Sequence, residues 1–139
     1  DLGRKRIGLA LSDGMHLTAQ GIETLERTTL REDLARLAAL AAERGVAMFL
    51  IGNPKHMNGS EGRQSAWVRQ FAGKLEGRTG LPVRLWDERL TTVEAGRVLR
   101  ESGISLNKRK QAVDRLAAVI LLESYLDAVA AAGPEERAG

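Results

Sequence analysis

Apolar positions change period repeatedly along the chain, and each change predicts an element. Ile7 to Leu11 is a short apolar run in which Gly8 and Ala10 permit close backbone approach, as in a tightly packed strand. Leu17 to Leu25 alternates imperfectly, with Thr18, Gln20 and Ile22, and predicts another strand. Asp1 ends a strand that Arg4 to Arg6 connect to the run at Ile7. With such short connections, three successive strands form an antiparallel meander. The strand ending at Asp1 lacks the apolar run expected in front of it, so the sequence reads as starting part-way through that strand.

Helical spacing then takes over. Leu30, Leu34, Leu37 and Ala41 share a face, with Thr28 or Thr29 as N-cap and Gly45 as the stop. Val46 to Ile51 is continuously apolar, as expected of a strand buried on both faces. Gly52 to Gly62 reads as a loop. Ser60 to Arg78 predicts a second helix, capped by Ser60, with Trp67, Val68, Phe71 and Leu75 on its apolar face and Gly80 at its end. Leu81 to Asp87 predicts a buried strand, and Val93 to Glu101 a third helix capped by Thr91 or Thr92. Gly103 to Lys110 reads as a basic loop. The last helix is expected from about Gln111 to Ala132, with Val113, Leu116, Ala117, Ile120, Leu121 and Tyr125 on one side, and residues 133–139 form a tail. Three antiparallel strands followed by βαβ crossovers give an α/β domain over residues 1–139: one mixed five-stranded sheet with helices on both faces.

Composition narrows the function classes. Hydrophobic content of 43% and charged content of 28% suit a soluble globular chain. The absence of cysteine excludes disulfides, thiolate metal sites and cysteine nucleophiles. No apolar run is long enough to span a bilayer, and no signal-peptide pattern is present. A net charge of +3 permits a polyanionic partner. Aromatic content of only 4% argues against a base-stacking platform.

Acids fall at the ends of three core elements. Asp1 ends the first strand, Asp87 and Glu88 end the last, and Asp114 lies in the first turns of the final helix beside Ala117, Ala118 and Leu121. Sites in such sheets form beyond the carboxyl ends of the parallel strands, where a packed helix can bring Asp114 to Asp1 and Glu88. Converging carboxylates repel one another, and Mg²⁺ or Mn²⁺ would remove that repulsion through their preference for oxygen ligands. Carboxylates holding two such ions around a phosphate is the layout of two-metal phosphodiester hydrolysis. Taken singly, each acid has a plainer explanation, since an Asp in a first turn usually serves the helix dipole and an Asp-Glu pair after a strand is usually a turn. Asp13 is expected to be a turn or outer acid.

The cations fit a phosphate backbone as substrate: Arg4, Lys5 and Arg6, then Lys55, then Arg89, then Lys108, Arg109 and Lys110. Runs of this kind are more often plain solvated surface. The loop with Lys55 and His56 lies between a buried strand and a helix, which is a natural anion site. It lacks the Gly-Lys-Ser/Thr of a Walker-type loop. Trp67 and Trp86 are expected in the core.

Four segments together resemble the YqgF/RuvX family of Holliday-junction resolvases and pre-16S rRNA nucleases, within the RNase H-like superfamily. They are Asp1 to Asp13, the loop from Gly52-Asn53-Pro54 through Met57-Asn58-Gly59-Ser60-Glu61-Gly62, Asp87 to Ala95, and Val113 to Leu122. They span nearly the whole chain in the family's order, and they are specific only in combination. Asn53 stands where an apolar residue is more common. The resemblance implies an RNase H-like fold, catalytic and metal-binding acids at Asp1, Glu88 and Asp114, dependence on Mg²⁺ or Mn²⁺, and a cytoplasmic location. It also implies a nucleic-acid partner: the 5′ end of precursor 16S ribosomal RNA, or a four-way DNA junction cleaved by a protein often discussed as a dimer. Monomer and homodimer both remain open, because no long exposed apolar stripe commits the chain. RNA and DNA are not separated by these residues either, since that distinction rests on a contact to the 2′-OH.

Two other classes compete. One is a nucleic-acid-binding or ribosome-assembly module without turnover, which the basic clusters alone would support. The other is an actin-like phosphotransferase, suggested by Asp-x-Gly at a strand turn, though such proteins need two domains of this kind around the nucleotide.

Overall fold

The computed structural model describes residues 1–15, 18–54, 62–87 and 106–132, with the backbone alone over 106–111. The described residues form a mixed α/β structure: β1 (Arg6–Ser12), β2 (Ala19–Glu26), α1 (Leu30–Arg44), β3 (Phe49–Asn53), α2 (Arg63–Thr79), β4 (Val83–Asp87) and α3 (Leu106–Ala131). They divide into two compact units, one of Asp1, residues 6–25 and the chain from 90 onward, the other of residues 2–5 and 26–89.

In the first unit, β1 and β2 pair. The few residues between Ser12 and Ala19 leave only an antiparallel arrangement. Asp1 also joins this hairpin: its backbone nitrogen donates to the Gly8 carbonyl at 2.8 Å, and the Gly8 amide donates to the Asp1 carbonyl at 3.0 Å. Such a two-way exchange marks directly opposed residues of an antiparallel pair. α3 packs on β1, burying Ala117, Ala118 and Leu121, one stripe at helical spacing.

In the second unit, β3 and β4 run parallel, with Ile51 opposite Leu85 and Asn53 opposite Asp87, as a βαβ crossover through α2 requires. α1 ends as its pattern predicts. Thr29 Oγ1 accepts from the Glu32 amide at 3.1 Å, and Gly45 closes the helix at φ 66°. Leu34, Leu37, Val68, Phe71 and Leu75 form the buried core here. Buried with them is Asp33, fully shielded from solvent.

Several expectations change. The described strands form two two-stranded sheets, not one of five. The segment before Arg6 is not a regular strand, although Leu2 forms an isolated bridge and Asp1 pairs with Gly8. β3 begins at Phe49 instead of Val46 and includes Gly52 and Asn53, which had read as loop. The Val46 amide is still bonded to the Ala41 carbonyl of α1, and pairing starts only where the Phe49 amide meets the Pro82 carbonyl. α2 starts at Arg63 after Gly62, and the expected cap Ser60 lies outside the described residues. Residues 106–110, read as basic loop, are the first turns of α3. Lys, Arg and Gln are good helix formers, so local propensity favours extending the helix backwards. The helix expected at Val93 to Glu101 lies outside the described residues.

Candidate active site

The site begins with the hairpin register. Directly opposed residues of an antiparallel pair project to the same face, so the Asp1 side chain leaves the hairpin on the face toward which a Gly8 side chain would point. That direction leads to the backbone of α3. A Cβ built on Gly8 would collide with the Asp114 carbonyl and come within 2.9 Å of the Arg115 amide nitrogen. Glycine at position 8 lets the helix backbone settle against the strand and sets Asp114 beside the strand position that faces Asp1. A second close approach lies on β2, where a Cβ at Gly21 would come within 2.6 Å of the Arg115 side chain. The two glycines thus seat the helix on both strands.

Two residues before Gly8, and on the same face by the twofold period of a strand, is Arg6. Its Nε donates to Asp114 Oδ2 at 2.7 Å, with the two side chains 24% and 20% exposed. Asp114 Oδ1 has no hydrogen-bond partner among the described residues. Asp1 and Asp114 are therefore both placed around Gly8, one by strand pairing and one by helix packing. Among the described residues no group of three His, Cys, Asp or Glu side chains is close enough to hold a metal. The expected third acid, Glu88, lies outside the described residues. Two carboxylates with oxygen-only donors suit Mg²⁺ or Mn²⁺, since Mg²⁺ is commonly held by one or two carboxylates with substrate phosphate and water completing its shell.

The expected substrate-binding cations are only partly described. Arg4 and Lys5 are exposed. The Arg4 guanidinium lies over the Trp67 ring at 4.3 Å from its centroid and donates to Gln64 Oε1 at 3.3 Å. Trp67 is thus a half-buried ring under two arginines, with Arg27 at 5.2 Å, in place of the buried core residue expected. Lys55 and Arg89 lie outside the described residues, as do the side chains of Lys108, Arg109 and Lys110. Asn53, the departure from the family pattern, is buried at the end of β3 and accepts from Ser65 Oγ of α2 at 2.8 Å.

Two residues escaped the sequence reading. Arg6 was counted only as part of a basic cluster, yet its position two before Gly8 was a usable signal that it faces the same side. Asp33 anchors a network: Arg27 Nε donates to its Oδ2 at 3.0 Å, the Thr28 amide to its Oδ1 at 3.1 Å, and Arg36 also pairs with it. Burial pushes the Asp33 carboxyl up, but the Thr28 amide and the two guanidiniums outweigh it and hold the group below its ordinary value. Arg27 also reaches the Gly3 carbonyl at 3.3 Å, and its amide bonds the Lys5 carbonyl at 2.9 Å. The network thus ties down the turn that carries Arg4 and Lys5.

The chain is similar to known proteins over nearly its whole length. A sequence profile described as "RuvX: Holliday junction resolvase" matches residues 1–128. A relative from Symbiobacterium thermophilum is 47% identical over 135 residues, covering 97% of this chain and 94% of its own. One from Moorella thermoacetica is 50% identical over 127 residues, covering 91% of each chain. One from Myxococcus xanthus is 48% identical over 128 residues, covering 92% of this chain and 85% of its own. All three are described as "Putative pre-16S rRNA nuclease".

Proposed function

The chain belongs to the RuvX family of Holliday junction resolvases, and on that premise we propose that it is a metal-dependent nuclease that processes the 5′ end of precursor 16S ribosomal RNA. The observation that carries this reading is the placement of Asp1 and Asp114 around Gly8. Two acids from distant parts of the chain share one face of a hairpin, in a protein whose relatives are described as nucleases of this RNA.

In this reading Asp1, Glu88 and Asp114 would hold two Mg²⁺ or Mn²⁺ ions within an RNase H-like fold. Bound there, the ions supply an activated water and stabilise the charge that develops on the leaving oxygen. The remaining work falls to the cations. Arg4, Lys5, Lys55, Arg89, Lys108, Arg109 and Lys110 hold the phosphate backbone in register without reading sequence. A substrate of this kind places the protein in the cytoplasm, and no helix among the described residues is long and apolar enough to cross a membrane.

A second reading, cleavage of four-way DNA junctions, is favoured by the family's own description. It requires two active sites at a fixed separation, and so a homodimer. One assay addresses both readings: matched precursor rRNA and four-way DNA junction substrates with Mn²⁺, using Asp1→Asn and Asp114→Asn as controls. The expected result is RNA cleavage that falls by at least about a hundredfold in either variant, the order seen when one transition-state charge stabiliser is lost. Undiminished cleavage in both folded variants would exclude these acids as ligands. Salt-dependent binding without any metal-dependent product would point to a non-catalytic binding module.

A further inference from the structure

Asp114 is held by a neighbour that the nuclease reading leaves without a role. Arg6 Nε bonds Oδ2 at 2.7 Å, while Oδ1 carries no hydrogen bond among the described residues. Both side chains are largely shielded, so the pair is not a solvated surface contact of little consequence. The two residues come from elements already locked together. Arg6 opens β1, and Gly8 of the same strand admits the Asp114 backbone. Carboxylate orientation is therefore fixed at both ends, by the helix backbone at one and by the guanidinium at the other.

We propose that Arg6 is a positioning residue for the metal site: it clamps Oδ2 of Asp114 and leaves Oδ1 presented to a divalent cation on the Asp1 side. The inference rests on Asp114 being a metal ligand. Outer partners of ligating carboxylates act in this way, and their loss usually weakens metal binding about 10–100-fold. Bare electrostatics gives the opposite sign, because removing a nearby positive charge should tighten cation binding. The direction of the change thus separates orientation from charge.

The test is Mn²⁺ affinity in the absence of nucleic acid, read from the electron paramagnetic resonance signal of free Mn²⁺, for the unaltered protein, Arg6→Ala, Arg6→Gln, Asp114→Asn and Arg6→Ala/Asp114→Asn. Arg6→Ala is expected to bind about 10–100-fold more weakly. Arg6→Gln keeps an N–H donor without the charge and is expected to recover part of that loss. In the Asp114→Asn background, Arg6→Ala is expected to add nothing, whereas a general structural defect would add its own loss. If Asp114→Asn weakens binding and Arg6→Ala binds as tightly as the unaltered protein or more so, the inference is wrong. If Arg6→Ala does not fold, the same outcome in Arg6→Gln overturns it. If Asp114→Asn itself leaves binding unchanged, the assignment of Asp114 as a ligand has failed.

Discussion

The backbone carbonyl of Asp114 lies where a side chain on Gly8 would begin. The obstacle is helix backbone, with the Arg115 amide nitrogen only 2.9 Å away, so no rotamer change can relieve it. Gly8→Ala must push α3 off β1 or bend the strand. Overpacking of this kind usually costs about 1–3 kcal/mol. A urea titration is expected to show the lower midpoint. Mn²⁺ affinity should fall with it, because the same contact places Asp114. An Ala variant with an unchanged midpoint would mean that the strand and helix are not this closely apposed.

Asp33 makes a different kind of demand. It is fully buried, and its partner Arg27 is only 13% exposed. Asp33→Asn keeps the shape but leaves two guanidiniums without their counter-charge. Removing one partner of a buried pair typically costs about 3–5 kcal/mol. Arg27 also holds Gly3 and Lys5 through their carbonyls, so the turn bearing Arg4 should loosen as well. Faster amide hydrogen exchange at Arg27, whose amide bonds the Lys5 carbonyl, is the expected signature, beyond a lower unfolding midpoint.

The same carboxyl sets a pH dependence. In the folded chain its pKa is depressed, while in the unfolded chain it returns to the ordinary aspartate value. The unfolded state therefore binds the proton more readily. The Asp33 contribution is fully present above about pH 4 and is lost as pH falls through the lower folded value. Unfolding midpoints followed from pH 6 downward should drop more steeply for the unaltered protein than for Asp33→Asn. Parallel slopes would show that Asp33 does not carry the acid sensitivity.

Local signals in the sequence proved the most legible. Thr29 and Gly45 bound α1 because caps are short-range chemistry, readable from a few residues. β3 was displaced because hydrophobicity reports burial and not where a ladder begins. The Val46 amide still serves α1, and only the partner strand decides that Phe49 is first. Asp33 was hidden because an acid in a helix's first turn ordinarily serves the dipole, and nothing local says that Arg27 and Arg36 close over it. The site divides in the same way. Asp1 was legible as an acid just before a strand, but Asp114, expected in the first turns of its helix, lies in the interior of α3 because that helix starts at Leu106, and the Asp1–Gly8 register and the Arg6 clamp depend on how strand and helix meet.

Arg4 offers the most direct test of how the protein engages its substrate. Its guanidinium is stacked on Trp67 at 4.3 Å and hydrogen-bonded to Gln64, yet the residue stays exposed. Stacking fixes the plane of the group while leaving other N–H donors free for a phosphate. A cation that contacts one phosphate adds about 0.7 to the slope of log affinity against log salt for a single strand. Binding of the Asp114→Asn variant to precursor rRNA, measured by fluorescence anisotropy across a salt series, should therefore lose about that much slope when Arg4→Ala is added. Because phosphate contacts carry no sequence information, affinity should fall to a similar extent for unrelated RNA of equal length. Trp67→Leu removes the platform but keeps the charge, so it is expected to weaken binding while leaving the slope nearly intact. An unchanged slope in Arg4→Ala would remove Arg4 from the path of the backbone.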